Sequence, residues 1–263
     1  MGYRNWTDRA GSGSASGTGN NTVVTLSGQV RYCVKCKRGA GDGIKDLGLA
    51  LQRGYQDSPD DYRSIEQTGF VEITQLASSD SDQDITWFGP SGRHTSPNGP
   101  SGNGCMGSCY KGSIHAKTGK NRSAFENWHV SYAYIPWKDG LNEVVKQTAQ
   151  KKRVGFKWVK MTIGQGENAY ARTEIWLSTK AIGYNEPPHN EWQLVRVQED
   201  KNNWPNSKGM SDCKCKNDKQ AMVWGAPSVV YRWDNQTGKL SLGTIQEIKV
   251  PTTFYKEGDI VKA

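Results

Sequence analysis

The sequence predicts an all-β protein: an antiparallel two-sheet sandwich of jelly-roll or concanavalin-like type, with long loops and an extended N-terminal arm. Three observations predict it. First, apolar and polar side chains alternate over many short segments, the period of a strand with one buried face. In residues 127–135, Trp128, Val130, Tyr132 and Tyr134 fall on one side, and Asn127, His129, Ser131 and Ala133 on the other. Second, clusters of Gly, Pro, Ser and Asn separate these segments, as turns and loops do. Third, no stretch shows a strong helical period. The 263 residues suffice for one large β domain, and no Pro- or Ser-rich linker divides their middle.

Taken in order, residues 1–28 read as an arm. Residues 11–21 are GSGSASGTGNN, a flexible composition, leading into the β-prone TVVTL of 22–26. Residues 29–263 read as a single domain. Strands are predicted at 30–37, 70–76, 85–88, 127–135, 153–163, 170–178, 190–198, 221–225, 228–233 and 240–250. Within 153–163, Val154, Phe156 and Trp158 share one side. Within 170–178, Ala171, Thr173, Ile175 and Leu177 oppose Arg172, Glu174 and Trp176. Weak helical patterns occur at 44–53, where Gly48 opposes a helix, and at 141–152. Residues 89–107 form a long Gly/Pro/Ser/Asn-rich loop, and long ordered loops are commonly functional or pinned by cross-links.

Hydrophobic residues make up 35% of the chain, which marks a polar, loop-rich globular protein. Ten Trp and eleven Tyr accompany only five Phe. Flat side chains with a polar handle suit half-buried wet surfaces, sugar-binding ones included, although β cores also use them. No apolar run approaches the ~20 residues that span a bilayer, and no secretory apolar region is present. An even count of six cysteines, with Asn-x-Ser/Thr tripeptides at Asn5, Asn20, Asn121 and Asn235, nevertheless predicts an extracellular, glycosylated protein whose leader has been removed. The net charge of +8 suits an acidic partner such as an anionic polysaccharide. The charge is scattered and no nucleic-acid motif occurs, so nucleic-acid binding is not expected.

The cysteines come as Cys33/Cys36, Cys105/Cys109 and Cys213/Cys215. Six cysteines allow about 15 pairings. Disulfides tying loops to sheets are the first reading. A Zn²⁺ site built from the first and third pairs is the second, although C-x-C is not the usual zinc spacing. Asp80, Asp82 and Asp84 alternate in DSDQD, oxygen ligands at a spacing that suits Ca²⁺; the glycine and glutamate of an EF-hand loop are missing, and a solvated acidic loop is the alternative. The polar sides of three predicted strands carry His129, then Lys157, then Arg172, Glu174 and Trp176. Were these strands neighbours, the groups would converge on one concave face. A polysaccharide lyase needs a cation to neutralise a uronate carboxylate and a base to remove the adjacent proton. Arg172 fits the first role, and His129 or Tyr110 the second. Lys157, Glu174 and Trp176 would line the sugar. A solvated face with ordinary salt bridges is the competing expectation.

Several segments carry a resemblance: ITWFGPSGRHT, CYKGSIHA, ENWHVSY, VGFKWVKMTI, RTEIWL, MVWGAPSVVYRWDN and LGTIQEI. Together they resemble secreted concanavalin-like jelly rolls related to the polysaccharide lyase and glucanase superfamily, above all a group of extracellular proteins known from archaea among others. The likeness spans residues 65 to 250 and implies the fold. Lyases of that superfamily carry an Arg in an R-x-E strand and a His in an I-H motif. The nearest matches are Arg172-Thr173-Glu174 and Ile114-His115. Here they occur in the reverse order, and the closing Tyr-rich strand motif is not evident. Two roles are therefore expected. In the first, the chain is a structural or adhesive surface protein, its strand 22–26 completing a neighbour's sheet to build a homopolymer. The alternative is a carbohydrate-binding protein or lyase acting on an acidic polysaccharide. The motif departures favour the first.

Overall fold

The computed structural model describes residues 4–6, 11–16, 23–36, 63–76, 84–88, 109–115, 121–127, 133–134, 138–139, 152–180, 182–183, 186–187, 189–201, 223 and 228–262. These form a mostly antiparallel β-sheet. Its strands are β1 (Arg4–Trp6), β2 (Gly11–Ser16), β3 (Val23–Cys36), β4 (Ile65–Gln75), β5 (Asp84–Phe88), β6 (Cys109–His115) and β7 (Asn121–Asn127). They continue with β8 (Ala133–Tyr134), β9 (Lys138–Asp139), β10 (Val154–Ile163), β11 (Tyr170–Ser178), β12 (Glu191–Asp200), β13 (Ser228–Glu247) and β14 (Ile260–Lys262). The strand order is β14-β12-β11-β10-β4-β13-β5-β6-β7-β8; β3 joins β13, β1 and β2 join β3, and β9 joins β7. Helix among the described residues is confined to the 3-10 turn Gly166–Asn168. None of their helices is long and apolar enough to cross a membrane.

The all-β expectation holds, and several boundaries move. Residues 228–233 and 240–250 were expected as two separate strands. They belong instead to the single twenty-residue β13. The break survives only as an irregularity between Trp233 and Gln236, because β3 pairs along both halves and carries the ladder across it. β13 also changes its other partner, from β5 at Val230–Trp233 to β4 from Thr237 onward. The N-terminal segment lies in the chain's own sheet: β2 pairs with the first part of β3, and residue 28 falls inside β3. β6 and β7 are strands that the alternation did not single out, since Gly112 and Ser113 interrupt the first and Ser123 the second. Residues 44–53, 128–132 and 141–151 lie outside the described residues.

The centre of the fold is β4–β10–β11–β12. Cross-strand neighbours share a face, and Phe156 stands opposite Leu177 and Trp158 opposite Ile175. All four are buried, with Val71, Ile73 and Leu240 on the flanking strands. Strand β6 lies against this inner face. A Cβ added at Gly112 would stand 2.6 Å from Trp158 Cδ1 and 3.2 Å from Ile175 Cδ1, so glycine is what lets these side chains pack onto the β6 backbone. Tyr110, two residues earlier, reaches Asp200 at the end of β12.

The outer face of the same strands is also buried. Val159, Met161, Trp176, Trp192 and Leu194 form a second apolar cluster, packed against Phe70, Ile163, Val197, Ile248, Phe254 and Val261. The last three come from the C-terminal stretch that follows β13. It crosses the outer face before ending in β14 against β12. This explains why β10 and β11 are buried almost throughout and not on alternate residues only.

Candidate functional site

The side chains that the alternation pointed to are gathered on this outer face. Lys157 is the cross-strand partner of Trp176, Val159 of Glu174 and Met161 of Arg172. Lys157, Arg172, Glu174 and Trp176 therefore do share one surface. That surface is covered: Arg172, Glu174 and Trp176 keep only 6%, 5% and 3% of their exposure. Neither the open concave groove nor the solvated face describes them.

The ionic geometry follows from the register. Arg172 and Glu174 lie two residues apart on one strand and so point the same way. The Arg172 Nε donates to Glu174 Oε1 at 2.7 Å, and the Trp176 indole N–H donates to Glu174 Oε2 at 2.9 Å. Both carboxylate oxygens are thus engaged. One terminal nitrogen of Arg172 donates to Glu199 Oε1 on β12 at 3.2 Å, and the other to the Tyr255 carbonyl at 2.6 Å. Every guanidinium nitrogen has a partner, and the plane stacks over Phe254 at 4.9 Å from its centroid. Tyr255 meets Trp176 edge-on at 5.2 Å. Lys157 lies 5.4 Å from the centroid of the Trp192 ring and 5.9 Å from that of Trp176, with Glu66 at 3.6 Å. Chemically this is a brace. A buried charge is tolerable when paired and hydrogen-bonded on all sides, as Arg172 is.

At the rim, Glu199 also takes a 2.6 Å contact from Lys201. Burial raises the Glu199 carboxyl, but the hydrogen bonds and charges of Lys201 and Arg172 outweigh it and hold the group below its ordinary value. The same hydrogen bond, then the carboxylate's charge, raises the Lys201 ammonium.

The remaining candidates lie elsewhere. The Tyr110 hydroxyl donates to Asp200 Oδ2 at 2.6 Å. Asp200 pairs in register with Ala171 and so belongs to the inner face. Tyr110 is buried on the side of the sheet opposite Arg172, and the two do not converge. His115 closes β6, and its side chain is not described; His129 lies outside the described residues. Asp84 opens β5, whereas Asp80 and Asp82 lie outside. No metal-binding cluster occurs among the described residues. Cys33 and Cys36 sit in β3 and Cys109 opens β6, while Cys105, Cys213 and Cys215 lie outside. Asn5 is in β1, Asn121 opens β7 and Asn235 sits at the irregularity of β13; Asn20 lies outside.

Sequence reasoning missed Glu199, Trp192, Phe254, Tyr255 and Glu257. Only one signal pointed to the last three: the aromatic pair of FYKEGD followed by a turn dipeptide. Comparison with protein-family models, with curated proteins and with solved structures finds no match for this chain.

Proposed function

We propose that this chain is an extracellular structural subunit, a disulfide-braced, glycosylated β-sandwich of jelly-roll type that polymerises by exchanging its N-terminal strand. One observation carries this reading. The pairing of β3 with β13 is interrupted: Val30 faces Trp233 and Gly28 faces Gln236, with Gln29 left between them. β3 remains one strand across it, but the ladder shifts register there. The second part, Val30 to Cys36, pairs with the stretch of β13 that β5 joins. The first part, Val23 to Gly28, pairs on its far side with β2, whose sequence is GSGSAS. β2 brings no large side chain, so main-chain bonds supply most of its attachment. Such bonds form equally well with the β13 of a neighbouring copy, as in strand addition. Gly28 at the break is the natural hinge. The closed ionic brace supports this reading over a glycan-processing one, since Arg172 and Glu174 are committed to one another and to the C-terminal segment.

Deleting residues 1–28 tests it. The full chain should form filaments visible by electron microscopy and sediment as a polymer, and the deleted form should remain monomeric. A full chain that stays monomeric at every concentration overturns the reading.

A further inference from the structure

The C-terminal segment is attached in the manner of a bound peptide. The Gly258 N–H donates to the Leu194 carbonyl at 2.8 Å, and the Leu194 N–H donates to Asp259 O at 2.9 Å. Glu257 accepts from the Val197 N–H at 2.7 Å and from Arg196 at 3.1 Å. Tyr255 O accepts from Arg172, and Gly258 O accepts from the Gln193 side chain at 3.0 Å. The turn that aims these groups needs glycine, because Gly258 has φ +100°. Main-chain bonds to a strand edge, an aromatic anchor on an apolar face and one acidic side chain read by arginine together make a peptide-recognition groove.

The link that leads to this segment is of another kind. Ile248 is fixed by its N–H to Ser64 O at 3.1 Å. The next five residues, Lys249 to Thr253, are all exposed, and among the described residues none makes a hydrogen bond. Pro251 fixes its own φ and biases Val250 to an extended backbone, so the link favours running on over folding back. An exposed, unbonded link between a fixed strand and a separately recognised segment is what exchange between copies requires, because the swapped contacts equal the original ones.

We infer that the groove on β10–β12 is a subunit-joining site whose occupant in the assembly is the segment Phe254–Lys262 of a second copy. The inference rests on the polymer reading above and gives it a second joint, at the opposite end of the chain. Gln193 and Ile260 are cross-strand partners. In that geometry Cβ atoms lie about 4.5–5.5 Å apart, close enough for a disulfide after small adjustment. The variant Gln193→Cys/Ile260→Cys should therefore give covalent dimers and a longer ladder on a non-reducing gel after oxidation at high protein concentration. The parent chain and the two single variants should not. The pair Glu191→Cys/Lys262→Cys, also in register, repeats the test at the outer end of β14, with Lys262 exposed and Glu191 half-buried, should the first variant fold poorly. Cross-linked monomers alone from both pairs overturn the inference. Repeating the experiment on the chain lacking residues 1–28 separates the two joints: dimers that persist there support C-terminal exchange whatever becomes of the N-terminal strand.

Discussion

The two faces of β10 and β11 are both buried, yet they are closed by different physics. The inner face, with Phe156, Trp158, Ile175 and Leu177 buried, meets strand β6 through Trp158 and Ile175, with Gly112 providing clearance. The outer face carries Lys157, Arg172, Glu174 and Trp176 and is closed by the C-terminal segment through the Arg196–Glu257 ion pair, stacking and main-chain bonds. The inner contact is mainly apolar and tolerates few changes of shape. The outer one depends on complete pairing of its charges. A charged strand face is therefore no sign of an open site; it can equally hold a strap.

The largest expected effect tests the inner face. Trp158→Ala removes a fully buried indole and should cost about 4 kcal/mol, read from urea unfolding. Next comes the outer face. Arg172→Met strips Glu174 of its guanidinium and frees the Tyr255 carbonyl, for about 3 kcal/mol. Limited proteolysis should then release the C-terminal segment first, with the body of the sheet intact. Loss of both together would mean that the strap and the sheet fold as one unit, and the distinction between the faces would fail. Gly112→Ala should cost about 2 kcal/mol by overpacking against Trp158. A neutral result would show that β6 does not press on the inner face.

The sequence made the inner face legible. Alternation placed Val154, Phe156 and Trp158 together, and Ile175 and Leu177 opposite Arg172, Glu174 and Trp176, because a period of two needs no knowledge of neighbours. It also brought Lys157, Arg172, Glu174 and Trp176 onto one surface. The cover was not legible. Tyr255 is 83 residues from Arg172, and no local pattern reports a contact at that separation. Nor did alternation reveal that Tyr110 faces Asp200 on the other side of the sheet, since that depends on how β6 returns across β10 and β11. The continuity of β13 was hidden for a related reason: the predicted strands stop at 233 and resume at 240, and only the pairing of β3 on both sides keeps the strand whole.

The smallest effect probes the rim of the outer face and depends on pH. Glu199 has a folded pKa held below its unfolded one, of about 4.3, by Lys201 and Arg172 against the opposing effect of burial. Its contribution is present above the unfolded pKa and is lost as pH falls through the folded one. Lys201 has the opposite sign: its raised pKa contributes below the unfolded value, about 10.4, and the contribution is lost as pH rises through the folded value. Glu199→Gln should thus lower the unfolding midpoint between about pH 5 and 9 and matter progressively less outside that window. Salt separates the two partners. Lys201 is largely exposed and Arg172 is buried, so ~1 M NaCl should erase the Lys201 share and spare that of Arg172. A Glu199→Gln deficit that vanishes entirely in salt would place Glu199 outside the brace, leaving Glu174 and the Tyr255 carbonyl as Arg172's working partners.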